Sequence, residues 1–171
     1  MVQKTTEKKN DQSVESDDRK VIVEILLAYS KEEWEQRRQS ENQRSMMTNF
    51  ILTIASAITV LILNNGLTMS SLPLSILLVL LGIFGAIAVA KLYERGEFHI
   101  ERSKAWRDRI NELYPEAELD IRRKQANTSH ATKFGRTIRE RIRLHSLWVN
   151  FNVAIAILGF AFVLIIFFTN I

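Results

Sequence analysis

Polar and apolar positions are not interspersed along this chain; they come in blocks. Met46 to Ala90 and Leu147 to Ile171 contain no Lys, Arg, Asp or Glu, so all 23 basic and 19 acidic residues fall in 1–45 and 91–146. Three apolar runs result, 46–64, 72–91 and 147–169, each close to the ~20 residues that a hydrocarbon core about 30 Å thick requires of a helix. One charge at mid-span costs roughly 2.5–3.5 kcal/mol on insertion scales. Three runs without any at their centres therefore predict three transmembrane helices. The helices of a large soluble core would be expected to carry a polar stripe instead.

The flanking blocks read as helix too. Residues 1–17 hold too few apolar side chains to offset chain entropy and predict a disordered tail. Ser16, Asp17 or Asp18 can cap the next segment, and the two aspartates suit its N-terminal dipole. From 18 to 45 the chain has no Gly or Pro, and neither appears until Gly66, so one helix is expected to pass from a polar segment straight into the first span. Val21, Ile22, Ile25, Leu26 and Tyr29 recur at helical spacings, with Trp34 beyond them, and predict a face that packs on a partner. In RRQSENQRSMMTNF the same helix changes solvent near Ser45 and Met46. A loop at 65–71 joins the first two spans. Residues 92–146 read as a helical hairpin: a first arm continues the second span as far as Pro115, a return arm runs through FGRTIRERIRLHSLW, and ANTSHATKFG is a joint between them.

Charge sets the expected orientation. The connection NNGLTMSS has no Lys or Arg, whereas 91–146 has fourteen basic residues against nine acidic. By the positive-inside rule the long connection and the N-terminus are cytoplasmic and the C-terminus extracytoplasmic. A 45-residue polar stretch before the first apolar run argues against a cleaved signal peptide. The basic segment KFGRTIRERIRLH raises nucleic-acid binding, but it abuts the third span. There Arg136, Arg139, Arg141 and Arg143 suit anionic lipid headgroups, at about 1 kcal/mol per basic residue, and no nucleic-acid partner is expected.

Catalytic chemistry finds little support. Cysteine is absent, which removes disulfides, thiol catalysis and cysteine metal sites. The three histidines lack metal-ligand spacing. The six glycines form no phosphate-cradling loop. No enzyme, cofactor or metal is expected.

The spans themselves carry more pattern. Asn49, Thr53, Ser56 and Thr59 mark one face of the first, a stripe suited either to lining a pore or to ordinary packing with hydroxyls bonded to the i−4 carbonyl. Gly82, Ala86 and Ala90 form a small-residue ridge on the second, of the kind that lets helices approach closely. The third includes Asn150, Asn152, Ala156 and Gly159. Three thin spans with three such faces favour a homo-oligomer.

Tyr29 and Trp34, the run EQRRQSENQ, an unbroken first span, a second running into LYERGEFHIERSKAWRDRINELYP, and a last span near the C-terminus together resemble the RipA-type octameric membrane protein family over most of 20–168. More distantly, the chain is similar to small membrane effector modules of bacterial anti-phage systems. The resemblance implies an all-α integral membrane protein of the bacterial inner membrane, assembled as an octamer, with long cytoplasmic helical extensions forming a stalk and a role in stress or defence. It places Tyr29, Trp34, Arg37, Arg38 and Asn42 in a cytoplasmic collar, and it supplies no catalytic residues. Two functions follow: a ring-shaped homo-oligomer that forms or gates a pore, or a non-conducting scaffold or sensor whose stalk binds a protein or small molecule.

Overall fold

The computed structural model describes residues 2–134 and 144–169, with side chains over 17–133 and 145–169. Among the described residues there is no strand. The described residues form, in order, α1 (Val2–Asn65), α2 (Leu72–Leu113), α3 (Leu119–Phe134) and α4 (Leu144–Thr169), with short 3₁₀ turns at Met69–Ser71 and Pro115–Ala117. α1, α2 and α4 each contain a stretch long and apolar enough to cross a membrane.

Helix boundaries follow local chemistry. α1 runs 64 residues without a break and ends where Gly66 adopts φ +77°, a left-handed conformation that glycine takes without steric cost. The Gly66 amide donates to the Leu63 carbonyl at 3.3 Å. At the other end, helix extends back to Val2, where the composition of 1–17 predicts disorder; Gln, Lys and Glu are good helix formers and nothing interrupts them. Asp17 accordingly does not cap a helix but pairs with Lys20 one turn on, at 2.9 Å, and this contact raises the exposed lysine's pKa. Pro73 sits in the first turn of α2, where its missing N–H has no helical partner to lose. α2 ends at Leu113, two residues before Pro115. The turn to α3 passes through Glu118 at φ 51°, and the Asn111 Oδ1 accepts from the Leu119 amide at 3.1 Å. Residues 126–134 are helical, not the joint their Asn, Thr and Ser content suggests; Thr128 and Thr132 return their hydroxyls to the carbonyls four residues back. Gly135 and the basic segment through Arg143, including Arg136, Arg139 and Arg141, lie outside the described residues.

The chain divides into two compact units, each discontinuous in sequence: Met1–Arg37 with Glu97–Arg136, and Arg38–Gly96 with Thr137–Ile171.

The second unit holds the apolar runs. On α1, Ile51, Ala55, Ile58 and Ile62 are buried at spacings of three and four, and they cluster with Leu78 of α2 and Ile155 of α4. Lipid tails are as apolar as these side chains, so close packing rather than water exclusion must hold the helices together. Glycine provides it. A Cβ on Gly82 would overlap the Ala156 backbone, and one on Gly159 would stand 2.7 Å from the Val79 nitrogen. Gly85 abuts Asn152, which is fully buried. Toward one end of this unit, the Tyr93 and His145 rings stack at 3.8 Å.

The first unit packs differently. Its buried positions on α1 are Ser30 and Glu33, and on α2 His99, Ser103 and Ile110. The apolar stripe expected to make this contact is largely exposed: Val21 at 55%, Ile22 at 44% and Ile25 at 50%. Packing rotates α1 so that a polar face turns inward, because those polar groups find partners on α2.

Candidate functional site

Within the span unit, the Asn49 stripe lies on the side of α1 away from its buried Ile51–Ile62 face. Asn49, Thr53 and Ser56 are exposed and Thr59 is half-buried. The Thr53 hydroxyl donates to the Asn49 carbonyl at 2.9 Å, Ser56 to Leu52 at 2.7 Å and Thr59 to Ala55 at 2.7 Å. Back-bonding satisfies each donor inside the helix and leaves the oxygen as an acceptor. The stripe is thus mostly exposed: three back-bonded hydroxyls and the Asn49 carboxamide, which keeps its own N–H donors.

Of the small-residue ridge, Gly82 makes the close approach, to Ala156, while Ala86 and Ala90 are half-buried. The next tight point is Gly85, three residues on, which four-residue spacing overlooks. Its neighbour Asn152 donates from Nδ2 to the Trp148 carbonyl at 2.8 Å, and its buried Oδ1 has no hydrogen-bond partner. A buried, unpaired carbonyl costs roughly 1–3 kcal/mol.

The first unit contains a polar network that sequence reading misses. Glu33 sits at its centre with a side chain 7% exposed. Its Oε2 is 2.6 Å from His99 Nδ1, and its Oε1 forms an ion pair with Arg102 Nε at 3.1 Å. One turn away on each helix, the Ser30 and Ser103 hydroxyls meet at 3.1 Å. Glu33 and His99 are 66 positions apart, so no local spacing signals the pair. The EFHIE context marks the histidine alone.

Next to this network lies a small, partly open cleft lined by Glu33, Trp34, Arg37, His99, Ser103 and Arg107. The Arg37 guanidinium covers the Trp34 ring at 5.1 Å, a cation–π geometry. Tyr29 meets Trp106 with ring centroids 5.7 Å apart. Three of the expected collar residues, Tyr29, Trp34 and Arg37, thus lie in this unit around the polar network. Arg38 and Asn42 belong to the other unit and are exposed. No group of three His, Asp or Glu residues among those described can hold a metal ion.

Compared with known proteins, the chain matches no family model, no curated protein and no solved structure.

Proposed function

We propose that the chain is a multi-pass membrane protein that assembles with copies of itself and forms or gates a passage through the bilayer. The observation that carries this reading is the exposure of Asn49, Thr53 and Ser56 along the outer side of α1. A polar row exposed on a spanning helix is best accommodated by a neighbouring copy or by a wet lumen. Its hydroxyl protons turn inward and Asn49 adds a neutral carboxamide, so the row is polar and uncharged. The exposed Val21, Ile22 and Ile25 support assembly in the other unit, where apolar side chains call for a protein cover. The charge distribution supports a cytoplasmic N-terminus. The resemblance to the RipA-type family is the ground for proposing eight copies, an inner-membrane location and a role in stress or defence.

Purified protein reconstituted in liposomes is expected to release a trapped dye or pass monovalent cations, and Thr53→Leu or Ser56→Leu to change that flux. Verified oligomers that give no flux under any condition tested would overturn the reading. A second reading, a ligand-binding sensor anchored by its spans, is favoured by the basic cleft at Trp34 and Arg107.

A further inference from the structure

We propose that the cleft between α1 and α2 in the first unit is a binding site for a single small oxyanion, inorganic phosphate or the phosphate group of a small soluble metabolite, held by Arg107. This deepens the sensor reading by naming the class of ligand.

Arg107 is the reason. Its Nε donates to the Ser103 carbonyl at 3.2 Å, which fixes the guanidinium on α2 and leaves its terminal nitrogens available. No carboxylate pairs with Arg107 among the described residues, whereas Arg102, Arg109 and Arg123 all have one. An immobilised guanidinium presents parallel N–H donors that match two oxygens of a phosphate or carboxylate. Glu33 also lines the cleft, but its two oxygens are engaged by His99 and Arg102. Trp34, with the Arg37 guanidinium over its ring, supplies an aromatic wall.

Size narrows the ligand. The cleft is partly open, and its enclosed space is about that of one water, far below sites that enclose drug-sized molecules. An oxyanion would therefore sit at the cleft mouth against Arg107, and a nucleotide could not be enclosed. Trp34 and Arg107 both lie in the charged segments, outside the charge-free runs, which favours a soluble anion over a lipid headgroup.

The test uses the full chain in detergent, titrated with inorganic phosphate at ionic strength held constant with chloride, and read by tryptophan fluorescence. A saturable change is expected. Arg107→Gln should weaken it at least about tenfold, as befits a charge-assisted hydrogen bond. Arg109→Gln, which removes an exposed cation from the same helix, should leave it intact. Arg107→Lys keeps the charge without the fork and should bind with intermediate affinity, which covers the case of a misfolded Arg107→Gln. Absence of saturation in the parent protein, or equal losses in the Arg107 and Arg109 variants, would overturn the site. In a second arm, nanodiscs with and without phosphatidic acid are compared in phosphate-free buffer; a change produced by that lipid and not by free phosphate overturns the soluble-anion assignment. Flux is measured separately in vesicles, and capture of a protein partner would leave the wider sensor reading standing if phosphate failed to bind.

Discussion

His99 of α2 holds the Glu33 carboxylate of α1 at 2.6 Å, in a position where both side chains are nearly sealed from solvent, at 11% and 7% exposure. Removing either partner strands the other in a poorly solvated place. Glu33→Ala is expected to lower stability by about 1–3 kcal/mol, seen as a reduced melting temperature by circular dichroism. It should be non-additive with His99→Ala, since residues in one network couple by about 0.5–3 kcal/mol. Additive losses would mean that the two side chains do not act as a pair.

Gly82 and Gly96 should respond oppositely to the same substitution. Gly82→Ala drives a methyl into the Ala156 backbone and is expected to cost about 1–3 kcal/mol by overpacking. Gly96→Ala meets nothing within 4 Å and should gain about 0.5–1 kcal/mol from helix propensity. Thermal unfolding of the two variants in one detergent compares the signs directly.

Asn152→Leu sets steric fit against polar burial. Leucine is bulkier than asparagine and the side chain abuts Gly85, so overpacking should lower stability by about 1–3 kcal/mol even though an unpaired buried carbonyl is removed. An unchanged or raised melting temperature would show that relief of the unpaired Oδ1 outweighs the steric cost.

Ile25→Glu places a charge on the exposed apolar stripe of α1. Since Ile25 is half exposed, helicity by circular dichroism should be unchanged while native mass spectrometry reports smaller oligomers. Oligomers of the parental size would exclude this stripe as a contact between copies.

The legible parts of this architecture were those set by absence. Charge-free runs picked out the three helices long and apolar enough to cross a membrane, and the lack of Gly or Pro before Gly66 made α1 continuous. Tyr114-Pro115 marked the end of α2. What stayed hidden was contact between distant positions. Periodicity of Val21, Ile22 and Ile25 indicated the packing face of the first unit, yet Ser30, Glu33, His99 and Ser103 form it, because a polar residue signals burial only once its partner is known. Gly85 lies three residues from Gly82, off the four-residue ridge, and the helix over 126–134 runs against weak propensities. The row at Asn49, Thr53 and Ser56 was legible as a stripe; its exposure was not, since a stripe looks the same whether it faces in or out.

Neither unit is a contiguous piece of chain. The segment ending at Arg37 must wait for Glu97–Arg136, and Arg38–Gly96 must wait for Thr137–Ile171. A ribosome thus delivers both units half-built, and their sequence-distant contacts close only after later segments emerge. Removing 1–37 strikes the first unit alone and removing 137–171 the second alone, whereas a truncation that ends inside 38–136 damages both. A fragment spanning 38–96 should accordingly be protease-sensitive after insertion and become protected when 137–171 is supplied as a separate chain.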